Sequence, residues 1–157
     1  MTSKLVSFSI SITILFVILS EVNCVDPVWK GKRYELQRSD KFDEFLTEMG
    51  VSFFKRKFIL LQEPIIELID AGNDEYIIRQ STTLKTMETK FKPGVEFEVE
   101  EPQGKIKSKI IFENPNKLIR TNIDGPMVEI TYEFTETEVI VTLKLNNVEA
   151  KRWFKLI

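Results

Sequence analysis

Residues 95–112 read VEFEVEEPQGKIKSKIIF, and the order of apolar and charged side chains in them decides the fold. Val95, Phe97 and Val99 alternate with Glu96, Glu98 and Glu100; past the Pro-Gln-Gly break, Ile106, Ile110 and Phe112 alternate with Lys105, Lys107 and Lys109. Successive side chains of a strand point to opposite faces, so this period of two predicts a pair of strands, each with one oily face and one wet face.

The same rhythm runs outward from there. From Pro64 onward, PIIELID, EYIIRQSTTL, TMETKF, KLIRTNI, MVEITYEFT, EVIVTLKLN and VEAKRWFKL each read as a strand, with AGND, KPG, NPN and DGP as turns. Upstream, KGKRYELQ places Tyr34 and Leu36 on one face and Arg33, Glu35 and Gln37 on the other, which brings the strands to ten. Ten antiparallel strands with short connections predict an all-β, up-and-down barrel. Closing the sheet removes its exposed edges and buries the apolar faces together.

Two short helices interrupt the series, between the first two strands. In SDKFDEFLTEMG, Phe42, Phe45, Leu46 and Met49 recur at helical spacing, with Ser39 or Asp40 as the expected cap and Gly50 as the stop. VSFFKRKFILL predicts a second helix ended by Pro64, with Phe54, Phe58 and Leu61 on one side and Lys55, Arg56 and Lys57 in its middle. Such an apolar stripe reads first as core and second as a surface that gates a ligand.

Composition excludes several function classes. Lys and Arg number 22 and Asp and Glu 24, so the chain lacks the dense positive charge that nucleic acid requires. It has no histidine, which removes Ser-His and Cys-His catalysis and the commonest zinc ligand. The carboxylates alternate outward on strands with no cluster, so neither a catalytic site nor a metal site nor a cofactor is expected.

Residues 1–24, MTSKLVSFSISITILFVILSEVNC, place Lys4 before an uncharged run from Leu5 to Leu19, which is too short to span a bilayer comfortably. The segment reads as a secretory signal with cleavage between Cys24 and Val25. That leaves 25–157 as a single domain exported from the cell. The one cysteine would go with the signal, so stability would rest on packing and sheet pairing without a disulfide. There is no Asn-x-Ser/Thr acceptor for N-glycosylation.

Residues 31–51, GKRYELQRSDKFDEFLTEMGV, together with STTLKTMETKFKPGVEFE and the terminal KRWFKL, resemble the intracellular-type lipid-binding proteins, the fatty-acid-binding proteins, over essentially all of 29–157. The resemblance implies a ten-stranded clamshell barrel, with a helix-turn-helix lid over a cavity that holds one fatty acid or related lipid. A leader sequence departs from most of that family. A secreted lipocalin is the rival barrel, and the helix pair after the first strand argues against it.

The resemblance also implies a headgroup site. Family members meet the ligand carboxylate with one interior arginine and with an Arg-x-Tyr pair on the last strand. Arg152 matches the arginine of that pair, Phe154 stands in place of the tyrosine, and Tyr132 occupies the position of the other arginine. Strand parity supports an inward Arg152, because an outward one would also turn Val148, Ala150, Phe154 and Leu156 outward. An inward arginine needs an anion or water as partner, and Tyr132 has a hydroxyl to offer beside it. Arg120 shares a face with Leu118 and Asn122, but a one-residue slip would send it outside, and the residues leave both orientations open.

By the same resemblance, ligand entry lies under the lid, at a portal formed by Leu84, Phe54, Phe58 and Phe45. Lys55, Arg56 and Lys57 are candidates for transient contact with anionic membranes. The expected function is therefore a secreted carrier or buffer of a fatty acid or similar hydrophobic ligand. The competing reading is a barrel used as a protein- or membrane-interaction module whose ligand site is vestigial.

Overall fold

The computed structural model describes residues 26–101 and 104–157. The segment read as a signal peptide, and Val25 after it, lie outside the described residues. Ten strands and two helices follow in the order β1 (Arg33–Asp40), α1 (Phe42–Glu48), α2 (Phe53–Leu60), β2 (Ile65–Gly72), β3 (Glu75–Ser81), β4 (Thr86–Phe91), β5 (Glu96–Glu101), β6 (Gly104–Asn114), β7 (Lys117–Asn122), β8 (Glu129–Phe134), β9 (Glu138–Leu145) and β10 (Val148–Leu156). This is the all-β clamshell barrel with the helix pair between the first two strands.

Apart from β4 and β5, consecutive strands pair antiparallel, and β1 pairs with β10, so the sheet runs β4-β3-β2-β1-β10-β9-β8-β7-β6-β5. Among the described residues no ladder joins β4 to β5, so the wall curls round without sealing. Full closure, expected from the need to remove edges, stops one ladder short. Both free edges carry alternating charge, Glu88 and Lys90 on β4 and Glu96, Glu98 and Glu100 on β5, which discourages pairing with another chain. Local chemistry sets the hairpins: at the β2–β3 turn Asn73 and Asp74 take φ of 54° and 59°, the left-handed region that these residues tolerate and that tight hairpins need.

One end of the barrel is packed with aromatic rings. Trp29 is 3% exposed and donates its indole N–H to the Pro115 carbonyl at 2.8 Å. Its ring lies 6.5 Å from Phe112 and 6.3 Å from Tyr76, and Tyr76 in turn packs on Phe91 and Phe112 at 5.7 and 4.9 Å. Aromatic packing therefore plugs this end without any cross-link.

At the other end, β1 pairs with β2 only from Arg33 to Glu35 and then diverges, and the helices fill the opening. Phe42, Phe45, Leu46 and Met49 are all buried, as the helical spacing of α1 predicts. The expected cap is not used. β1 runs on to Asp40 because Ser39 and Asp40 pair with Arg152 and Lys151 of β10, so Lys41, at φ 53°, becomes the N-cap without a side-chain bond. Gly50 does end the helix, at φ 75°, with its N–H on the Thr47 carbonyl at 2.9 Å.

The core reading of the second helix is overturned. Phe54, Phe58 and Leu61 are 84%, 55% and 80% exposed, and no residue of α2 is buried. Instead α2 turns Arg56 and Ile59 inward: Arg56 donates to the Asp43 carboxylate at 2.7 Å and to the Val51 carbonyl at 2.9 Å. Charge pairing with α1 thus fixes the rotation of α2 and leaves its aromatic stripe facing water.

Candidate ligand-binding site

Between the aromatic plug and the lid lies a cavity of about 890 Å³, within the ~300–1,000 Å³ range of small-molecule sites. Apolar side chains of α1 and of the strands wall it: Phe42, Phe45, Met49, Ile66, Ile78, Val128, Ile130 and Leu143 among them. Strand parity produces this lining, since the inward face of most strands carries their apolar residues, joined by a few polar ones such as Arg120 and Arg152. Residues of β4 and β5, from Lys85 to Lys90 and from Phe97 to Glu101, border it on the unpaired side.

Arg152, Tyr132, Phe154 and Arg120 all line this cavity, so the structure brings the four headgroup candidates together. No carboxylate pairs with Arg152 among the described residues. Its Nε–H donates to the Ser39 hydroxyl at 3.2 Å, and its guanidinium lies 4.1 Å from the Phe42 ring centroid and 5.5 Å from that of Phe154. Ser39, expected to cap a helix, serves the cation instead. Burial pushes the Arg152 pKa down to about 10, with Tyr132 opposing the shift. The group remains charged at neutral pH and under-compensated, which suits an incoming anion.

Tyr132 is buried, burial raises its pKa, and its hydroxyl makes no hydrogen bond to a described residue. At neutral pH it is a free donor. Phe154 is 1% exposed and adds only its ring.

Arg120 points inward, which resolves the orientation that the residues left open: β7 pairs Arg120 with Ile110 and Ile130 without a slip. Its Nη2 is ion-paired with Glu101, a residue absent from the candidate set. The signal was present in the sequence. Glu101 continues the apolar parity of Phe97 and Val99, whereas Glu96, Glu98 and Glu100 take the wet face. Trp29 was the other omission, because a lone aromatic ahead of the first strand carries no periodic pattern.

The portal candidates divide. Phe45 is buried, stacks on Phe42 at 6.3 Å and lines the cavity, while Phe54, Phe58 and Leu84 stand exposed outside it. Leu84 sits in a turn held by the Thr82 hydroxyl, which accepts the Leu84 and Lys85 N–H groups at 3.3 and 3.1 Å. Of the three basic residues on α2, Lys55 and Lys57 are exposed, and Arg56 is committed to Asp43 and Val51. Among the described residues no group of three metal-ligating side chains occurs.

Comparison with known proteins places this geometry. The model of the lipocalin / cytosolic fatty-acid binding protein family matches residues 28–124. A fatty acid-binding protein of Tyrophagus putrescentiae is 40% identical over 123 residues, covering 78% of this chain and 93% of the relative. A fatty acid-binding protein from brain tissue of Drosophila melanogaster superposes with a TM-score of 0.77 at 37% identity, over 81% of this chain and 98% of that one. The Schistosoma mansoni fatty acid binding protein in complex with arachidonic acid superposes at 0.76 with 25% identity, over 83% and 96%.

Proposed function

Since the chain belongs to the lipocalin / cytosolic fatty-acid binding protein family, we propose that it carries or buffers a fatty acid or similar amphiphile inside its barrel, outside the cell. The observation that carries this reading is a charged Arg152, without an acidic partner among the described residues, at the wall of a cavity of about 890 Å³ that it shares with Phe42, Phe45, Ile66, Val128 and Leu143. An alkyl chain supplies the driving force at about 0.8 kcal/mol per CH2, roughly 12 kcal/mol for sixteen carbons before ordering and association costs. Arg152 and Tyr132 then orient the ligand. With a phenyl ring at 154 in place of a hydroxyl, the site discriminates less sharply between a carboxylate and a neutral head. A binding role without catalysis also fits the family.

Export rests on residues 1–24, whose single lysine and short apolar run support a cleaved leader. Transfer of ligand to anionic membranes rests on Lys55 and Lys57 beside the exposed Phe54 and Phe58.

Displacement of a fluorescent fatty acid by oleate tests the carrier reading. Stoichiometric displacement is expected, weakened in Arg152→Met and retained for oleyl alcohol. A protein that takes up neither probe nor oleate is instead an interaction module with a vestigial cavity. Expression in a secreting cell, followed by N-terminal sequencing of the medium, tests export: a mature chain beginning at Val25 is expected.

A further inference from the structure

The cavity holds a second polar centre that a simple fatty acid leaves idle. Arg120 is 8% exposed, and among the described residues only Nη2 of its three guanidinium nitrogens has a partner, the Glu101 carboxylate. Nε is enclosed without any hydrogen-bond partner, and Nη1 makes none to a described residue. The other Glu101 oxygen has no hydrogen bond to a described residue. The neighbouring interior polar pair behaves differently: the Ser108 hydroxyl donates to Asn122 Oδ1 at 2.9 Å, and the Asn122 amide donates to the Pro126 carbonyl at 2.7 Å. Those groups satisfy each other and do not line the cavity, whereas Arg120 and Glu101 do.

An ion pair in an apolar cavity loses hydration that its own contacts restore only in part, so spare donor and acceptor sites there reward a ligand that supplies both. A hydroxyl is such a group. Its oxygen accepts an N–H from Arg120 and its proton goes to the second Glu101 oxygen. A second carboxylate fits worse, because Arg120 is already neutralised and Glu101 would repel it.

The register gives the spacing. Arg152 is level with Val141, Val141 with Tyr132, and Tyr132 with Leu118, two residues from Arg120 along β7. At ~4.8 Å per strand and ~3.3 Å per residue, the two arginines stand roughly 16 Å apart along the wall at their Cα atoms, with Tyr132 between them. The second polar group therefore lies on the far side of Tyr132 from Arg152, where it meets the tail beyond the head.

Resting on the carrier reading, we propose that the preferred ligand class is a fatty acid bearing a mid-chain hydroxyl, with its carboxylate at Arg152 and its hydroxyl at the Arg120–Glu101 pair.

Competitive displacement by stearic, 10-hydroxystearic and 2-hydroxystearic acid tests this on the purified protein. The 10-hydroxy acid is expected to bind roughly fivefold tighter than stearic acid, as one well-placed hydrogen bond to charged groups allows, and the 2-hydroxy acid no tighter. In the double variant Glu101→Leu/Arg120→Met, which removes both charges together and so strands neither, the preference should vanish or reverse. Equal binding of stearic and 10-hydroxystearic acid by the wild type overturns the inference and leaves the carrier reading standing. Equal gain from the 2-hydroxy acid overturns it too, as does a preference that survives in the double variant. Binding of none of the three overturns the carrier reading and the inference with it.

Discussion

The guanidinium of Arg152 lies 4.1 Å from the centroid of the Phe42 ring, so the cation of the last strand is covered by the first residue of the lid helix. The two also form the partition between the main cavity and a smaller hollow of about 370 Å³ bounded by Leu36, Ser39, Leu61 and Gln62. Lid position and headgroup chemistry are therefore joined through one aromatic contact.

Removing that ring should loosen both. Phe42→Ala is expected to destabilise the fold by about 3 kcal/mol, the low end for a buried phenylalanine, because the adjoining cavity admits water to the vacated space. Urea unfolding reads the cost. The same variant should release bound oleate faster, in stopped-flow transfer to acceptor vesicles.

Carboxylate binding should fail in alkali for a definite reason. Burial lowers the Arg152 pKa to about 10, and a bound anion raises it again. The favourable charge contribution is thus complete below about pH 10 and is lost as the pH climbs through the free and then the bound pKa. Oleate affinity should stay level from neutrality to about pH 10 and drop above it, while oleyl alcohol affinity stays unchanged; parallel loss of both would point to unfolding instead.

Asp43 gives the lid an acid limit. Its hydrogen bond from Arg56 holds the carboxyl below its ordinary pKa, with Lys57 adding to the effect. A depressed acid contributes stability above its unfolded pKa and loses it as the pH falls through the folded one, here below about pH 4. Amide exchange in α2, corrected for its intrinsic pH dependence, should speed up across that range in the wild type. Asp43→Asn should show fast exchange throughout with no such step.

The aromatic plug should dominate global stability. Trp29→Ala removes a buried indole with three ring neighbours and a hydrogen bond to Pro115. A loss of about 3–5 kcal/mol is expected from chemical denaturation. Oleate affinity, normalised to folded protein, should hardly change, since Trp29 does not line the cavity.

Where side chains alternate, as at Phe97 and Val99 and again at Ile106 and Ile110, the sequence alone located the strands and their inner faces, although Val95, read on the same face, stands exposed ahead of β5; alternation on β8 and β10 likewise placed Tyr132 and Arg152. α1 was equally legible because its four apolar residues all bury. α2 was not: its stripe of Phe54, Phe58 and Leu61 is amphipathic in pattern, but helix rotation depends on a partner, and the partner is the Asp43 carboxylate on another element. Ser39 illustrates the same limit, since a serine ahead of a helix is a natural cap until a cross-strand arginine claims its hydroxyl. Arg120 stayed ambiguous because one residue of slip reverses a strand's faces, and only the registry with β6 and β8 fixes it.

The missing ladder between β4 and β5 has a mechanical corollary. In a sealed cylinder, strand number and stagger dictate girth, and swelling would require breaking hydrogen bonds. Here the two rims can drift apart with every existing ladder intact, so the interior can stretch around guests of unequal bulk. Bound forms with different lipids should accordingly differ most in the separation of Glu88 from Glu98, and least around Trp29.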